Sequence, residues 1–333
     1  MTSDNLRQAA LAVDRARVLL APDRRTTVFD VSATGDDGAI TLEGVVERSD
    51  QHDRLVEAVD RAVASEVQSS VTVLEGTETT DTTSERVLPI RGSPDAEAEQ
   101  VTQVLYGAQL TAYDVDGAFR RVRTPDGYVG WARNDCLECP DESEWTPTAV
   151  TVAPVDTGLE FAVPAGVSCR VLEEAWPGGS KAETVDVQFR TGETATIPGP
   201  FLQSTALGDP ATVVETAKRF LEAETPYEWG GMTETGIDCS GLVWIAYRAV
   251  GVTMPRDADQ QRAIGTDVDR EELAPGDLLF FPGHVAISLG GPRYIHAYGS
   301  AAAVTINSLD PTADNYVESL EGGLEKTTRV IDA

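Results

Sequence analysis

Lysine is nearly absent. Only Lys181, Lys218 and Lys326 occur in 333 residues, so arginine supplies almost all of the 26 positive charges, set against 55 acidic residues and a net charge of −29. Such a balance repels phosphate backbones and anionic lipid surfaces, which argues against nucleic acid or a membrane as partner. It suits a surface that must stay hydrated in molar salt, where screening acts within about 3 Å. A halophilic, salt-rich cytoplasm is therefore expected, with an ordinary acidic cytosolic protein as the alternative. The charge bears on solubility and not on the reaction.

Other absences narrow the class. Four cysteines are too few for a disulfide framework. No stretch approaches the ~18 apolar residues that span a bilayer, and Asp14, Arg15 and Arg17 break up the N-terminal segment that a secretory signal would need. A soluble cytoplasmic protein is expected. Hydrophobic residues make up 41 % of the chain, so it can bury several cores.

Pattern divides the chain into four units. Residues 1–80 read as a small α+β unit: a helical start, two alternating runs (27–31 and 39–46) around a hairpin signal at 35–38, a one-sided helix over 51–64, and a strand at 71–74. This pattern resembles the BON domain, and His52 in its helix reads as a surface residue. The polar, Thr-rich stretch 76–85 reads as a linker. Residues 85–144 turn to short strands, and Gly127-Tyr128-Val129-Gly130-Trp131 resembles the closing strand of a bacterial SH3-like barrel. Residues 146–205 are β-like again and read as a second SH3-like barrel. From 208 to 333 the texture is mixed α and β, beginning with a one-sided helix over 211–222.

The chemistry gathers in that last unit. Cys239 stands just ahead of the apolar run 242–247, in the first turn of the expected helix. There the free amides and the positive dipole end favour a thiolate, which lowers a thiol pKa to roughly 3.5–7.5. Helix placement alone leaves a nucleophile and a small filler residue equally open. Two of the three histidines, His284 and His296, lie in consecutive strands joined by 290–293. Their spacing predicts that they stand opposite one another on a small-residue face, where a substrate or the Cys239 helix could pack. A cysteine nucleophile needs a base, and the base an orienting group, so this set favours catalysis.

Taken in order, Pro226-Tyr227-Glu228-Trp229-Gly230-Gly231, Asp238-Cys239-Ser240-Gly241, Pro255-Arg256-Asp257, Pro275-Gly276-Asp277-Leu278, Gly283-His284-Val285-Ala286 and Tyr294-Ile295-His296-Ala297 resemble the NlpC-type cysteine peptidases. The resemblance implies a papain-like α+β fold, no cofactor or metal, and cleavage of a cell-wall stem peptide after γ-D-glutamate. It makes Cys239 the nucleophile, His284 the base and His296 the orienting residue, with Tyr227 and Trp229 lining the site. The SH3-like units ahead of the peptidase resemble the dipeptidyl-peptidase VI subgroup. That likeness gives Asp238, Ser240 and Tyr128 to the amine end of a substrate beginning with free L-alanine. Two positions depart from the subgroup: Ala108 stands where an acid is common, and Ala258 where a serine often follows Pro-Arg-Asp. Strict amine specificity would then rest mainly on Asp238.

Remaining signals point elsewhere. Cys136 and Cys139 form a lone CxxC that is open to metal, redox or free-thiol readings. Cys169 reads as core, Trp145 and Trp176 as packing, and 177–180 as a turn. The rival functions are an acyltransferase or amidase with the same Cys-His-His site, and a non-catalytic SH3-like binding protein.

Overall fold

A computed structural model describes residues 3–36, 39–140, 145–173, 176, 183–206 and 208–332. The turn signal at 177–180 and residues 37 and 38 of the 35–38 hairpin signal lie outside these. Helix α1 (Ser3–Leu20) buries Ala9, Ala12, Val13, Ala16 and Leu20, one stripe at helical spacing. Strands β1 (Phe29–Asp36) and β2 (Ala39–Val46) pair antiparallel with Asp36 opposite Ala39. Helix α2 (Ser49–Asp60) then crosses over to β3 (Glu66–Val73), which lies parallel to β2. Leu55 and Val59 of α2 share a core with α1 and the sheet. His52 is partly exposed on α2, within 3.0 Å of Ser69 Oγ.

The expected linker is not one. Its residues Thr79–Asp81 form β4, which pairs with β7, and Asp81, Thr82 and Thr83 are buried. Backbone pairing can bury threonine once its N–H and C=O are satisfied, an outcome that polar composition hides. With β5 (Val87–Arg91), β6 (Gln100–Leu105), β7 (Leu110–Asp116), β8 (Phe119–Arg123) and β9 (Val129–Arg133), it makes a six-stranded sheet in the order β4-β7-β8-β9-β5-β6. A five-stranded sheet follows, β13-β12-β11-β10-β14, from β10 (Ala149–Thr151), β11 (Ser168–Val171), β12 (Thr184–Gln188), β13 (Thr194–Pro198) and β14 (Leu202–Ser204). Cys169 is fully buried in it.

In the last unit α3 (Pro210–Glu222) is capped by Asp209, and a small hairpin of β15 (Met232–Thr233) and β16 (Gly236–Ile237) leads into α4 (Cys239–Arg248). After α5 (Ala258–Gln261) and β17 (Thr266–Asp267) come β18 (Pro275–Phe281), β19 (His284–Leu289), β20 (Arg293–Tyr298) and β21 (Ala303–Ser308). Helix α6 (Glu318–Glu321) and β22 (Lys326–Arg329) end the unit, whose sheet runs β17-β22-β18-β19-β20-β21. Helices α3 and α4 share a core with Val285, Ile287 and Ile295, while Leu279, Ala286 and Tyr294 belong to a second cluster.

Two features fix the site. Residues Cys239–Tyr247 of α4 are buried on every side, as a helix is when a second layer covers it. That layer is the five-stranded unit, whose Ala165, Val167 and Leu202 join the α4 core. Arg248 ties the two by donating to Gly166 O (2.8 Å) and Ser168 Oγ (2.7 Å). The N-terminal unit is docked as well: Val129 N–H donates to Arg25 O (2.6 Å), and Arg123 pairs with Glu47 (2.7 Å).

Candidate active site

Asp238 starts α4. Its backbone is extended and its Oδ1 accepts the Gly241 N–H at 2.6 Å, the arrangement that satisfies an orphan first-turn donor. Gly241 admits no side chain, because a Cβ would sit 2.5 Å from Gly231 O. The Asp238 carboxylate is fully engaged. Besides Gly241 it accepts from Gly230 N–H (2.9 Å), Ser240 Oγ (3.2 Å) and both terminal nitrogens of Arg256 (3.0 and 2.6 Å). Arg256 is itself buried and donates through Nε to Thr102 Oγ1 of β6 at 2.7 Å. This buried pair therefore ties the six-stranded sheet to the start of α4.

Cys239 occupies the first turn, as expected, but its ionisation runs the other way. Burial pushes the thiol up to about 12, and the Asp238 charge adds to the rise. The N–H groups of Val285 and Ser240 and the Arg256 charge oppose it without winning. Sequence placed the helix amides at the sulfur correctly and had no measure of how dry the site is.

The strand register also departs from expectation. Ile287 faces Ile295 and Ser288 faces Tyr294, so His284 and His296 are offset by two residues and not directly opposed. They share a face all the same, and imidazole reaches a diagonal neighbour: His284 Nε2 and His296 Nδ1 are 2.7 Å apart. Helix α4 packs on the Val285 and Ile287 side, not on the small-residue face. The Cys239 sulfur lies at the start of β19, where the Val285 N–H, one residue beyond His284, reaches it.

Hydrogen bonding assigns the protons of the histidine pair. Asn307 on β21 donates through Nδ2 to Asn315 O (2.6 Å), which turns its Oδ1 toward His296 Nε2 at 2.8 Å. An amide oxygen only accepts, so His296 Nε2 carries the proton and Nδ1 is the acceptor. His284 must then donate through Nε2, leaving its Nδ1 lone pair free. Both rings are neutral near pH 7, because burial drops His284 to about 3 and His296 to about 4.

A cleft of about 430 Å³ opens beside the sulfur. It is lined by Tyr128, Trp229, Asp238, Cys239 and Ser240, together with Gly283 next to His284. Trp229 is 61 % exposed, free to meet a ligand. Burial raises the Tyr128 hydroxyl to about 12. Tyr227 is half-buried close to Cys239, and burial with that neighbour's charge raises its hydroxyl to about 12. Ala258 lines the cleft, whereas Ala108 packs in the core of the six-stranded sheet.

Sequence reasoning missed Arg25, Glu99, Asp259 and Asn307, and saw Asp257 only as part of a motif. The first three reach the cleft from separate units, and no local pattern announces that. Cys136 and Cys139 are free thiols away from the cleft. Among the described residues no helix is long and apolar enough to cross a membrane.

Residues 224–319 match the NlpC/P60 family, and residues 90–137 match the bacterial dipeptidyl-peptidase SH3 domain. Dipeptidyl-peptidase 6 of Lysinibacillus sphaericus is 32 % identical over 68 % of this chain and 90 % of its own length. A γ-D-glutamyl-L-lysine dipeptidyl-peptidase of Bacillus cereus is 30 % identical over 66 % of this chain and 73 % of its own. The fold is shared with a crystal structure of an NlpC/P60 family protein from Bacillus cereus (TM-score 0.63, 21 % identity), which covers 76 % of this chain and 100 % of that one. The chain belongs to the NlpC/P60 family and is a peptidase, a hydrolase of peptide bonds, with a papain-like domain behind an SH3 domain.

Proposed function

We propose that the protein hydrolyses the bond between γ-D-glutamate and a diamino acid in short cell-wall peptides that begin with free L-alanine. The observation that carries the catalytic part is the directed chain His284–His296–Asn307, which leaves His284 Nδ1 unprotonated, one residue from the Val285 N–H that reaches the sulfur. Cys239 gives its proton to that nitrogen as the sulfur attacks the γ-carbonyl carbon. The carbonyl electrons move onto oxygen, which the Cys239 N–H in the first helical turn stabilises. The imidazolium returns the proton to the leaving amine, and the acyl-thioester is left. Water attacks the thioester with His284 again as base, freeing the dipeptide acid and the thiol. His296 and Asn307 hold the tautomer throughout.

The names of the relatives support this substrate class: the Lysinibacillus protein is a dipeptidyl-peptidase, and the Bacillus one a γ-D-glutamyl-L-lysine dipeptidyl-peptidase. Tyr128, Trp229 and Tyr227 serve as contact surface, with Asp238 and Ser240 at the amine end. Asp238 acts there through its negative field, since its lone pairs are already occupied. We read the N-terminal unit (1–80) as BON-like, 85–144 and 146–205 as SH3-like domains, 208–333 as the peptidase domain, and the setting as a salt-rich cytoplasm.

Hydrolysis of L-Ala-γ-D-Glu-diaminopimelate in high salt tests the reading, beside an N-acetylated copy and Cys239→Ala. Cleavage of the free-amine peptide, lost in the variant, supports it. Equal cleavage of both copies removes the amine requirement. Transfer of the acyl group to an added amine in preference to water would favour an acyltransferase.

A further inference from the structure

The cleft has a wall that neither the peptidase fold nor the SH3 domain supplies. Arg25, between α1 and β1, reaches it from the N-terminal unit. Its Nε and Nη2 donate to Asp23 (2.9 Å each), Nη1 to Asp257 Oδ2 and Asp259 Oδ1 (2.8 Å each), and Nη2 to Asp259 Oδ2 (2.7 Å). A guanidinium has five N–H donors, and these five bonds use them all. The residue is held at its backbone too, by the Val129 N–H next to Tyr128. Asp23 receives a further bond from Gln260 (2.7 Å), so the N-terminal unit grips both sides of α5.

Arg25 therefore has no donor left with which to bind a substrate carboxylate. It stands as a fixed crossbar from the N-terminal unit to the start of α5. The carboxylates around it (Glu99, Asp238, Asp257 and Asp259) outnumber Arg25 and the buried Arg256, so a chain end lying there bears an ammonium. Arg25 and its partners Asp257 and Asp259 together line that end of the cleft.

We propose that Arg25 is a specificity-determining residue, an end-stop on the amine side that confines the cleft to peptide termini. The proposal rests on the peptidase reading above for its substrate. It also gives the N-terminal unit a part in recognition, and it supplies end-selectivity that Ala108, lacking an acid, cannot.

The test compares L-Ala-γ-D-Glu-diaminopimelate with the same peptide extended by Gly-Gly. With the Gly-Gly added at the N-terminus, both carry one free N-terminal amine and the same second amine of diaminopimelate, so their ratio of kcat/KM reads reach and not charge. The short peptide is expected to lead by roughly 10- to 100-fold, and Arg25→Ala to narrow that lead about tenfold by a gain on the extended peptide. Glu47→Ala, which removes the Arg123 tie at a residue that does not line the cleft, is expected to leave the ratio in place. An unchanged ratio in Arg25→Ala, or an equal shift in Glu47→Ala, overturns the proposal. A second readout needs no substrate: labelling of Cys239 by a bulky maleimide relative to iodoacetamide, in a Cys136→Ser, Cys139→Ser background. Arg25→Ala should raise this ratio severalfold. If the wild type cleaves neither peptide, the substrate reading falls and the labelling ratio alone decides: a rise supports the end-stop, no rise refutes it.

Discussion

At the scale of single residues, the site works by dryness and direction. His284 is held near 3 and His296 near 4 by burial, so the base stays unprotonated far into the acid range. The pH profile of kcat/KM should therefore be flat from pH 7 to pH 5, where a histidine of ordinary pKa, about 6.5, would already be mostly protonated. The same shift has a stability sign. Unfolded histidines take up protons near 6.5 while the native pair stays neutral, so stability is full above that pH and falls as pH drops toward 4. The slope approaches about 1.4 kcal/mol per pH unit for each histidine. Urea denaturation at pH 7, 6 and 5 measures it, and His296→Gln should reduce it. Asn307→Ala removes the acceptor of His296 Nε2–H, leaving a buried donor unmatched at a cost of about 1–3 kcal/mol. It should also lower kcat, losing part of the roughly 10²–10⁴-fold that a positioned base contributes. Steady-state kinetics beside a melting curve separates the two effects. The place of Cys239 at the start of α4 and the shared face of His284 and His296 were legible in the sequence. Asn307 was not, since an asparagine in a strand says nothing until the strand pairing is known.

At the scale of elements, the start of α4 is where the fold commits. Asp238 caps the helix, fixes the Gly230 turn and neutralises buried Arg256 in one cluster. Arg256→Met would leave Asp238 charged and buried without its partner, a loss of about 3–5 kcal/mol. Chemical denaturation reads that value, and adding Asp238→Asn should restore part of it. One-sided spacing located α2 and α3, and the apolar run 242–247 located α4, because each buries a stripe or a whole surface. It failed at β4, where threonines are buried by backbone pairing, and in the β19–β20 register, where a connection centred on Gly290 was taken as symmetric and the strands pair two residues off. The thiol was misjudged for a related reason: helix amides can be read from sequence, whereas burial by residues distant in the chain cannot.

Across the whole molecule, the units converge on one cleft and the surface carries a net charge of −29. At 0.1 M salt, charges interact over about 10 Å, and at 1 M over about 3 Å. Raising KCl through that range should raise the melting temperature by relieving self-repulsion; a flat response would remove the proposed link to a salt-rich setting. The convergence of units was the least legible feature. Arg25, Glu99 and Asp257 are far apart in the chain, and only tertiary docking brings them together.

The most direct test of the central claim is to catch the covalent intermediate. Enzyme mixed with L-Ala-γ-D-Glu-diaminopimelate and acid-quenched within milliseconds is digested and mapped by mass spectrometry. The account predicts an L-Ala-D-Glu acyl group on the peptide containing Cys239, absent in Cys239→Ala and accumulating less in Asn307→Ala. Turnover with no acyl group on Cys239 at any quench time, or continued hydrolysis by Cys239→Ala, would contradict it.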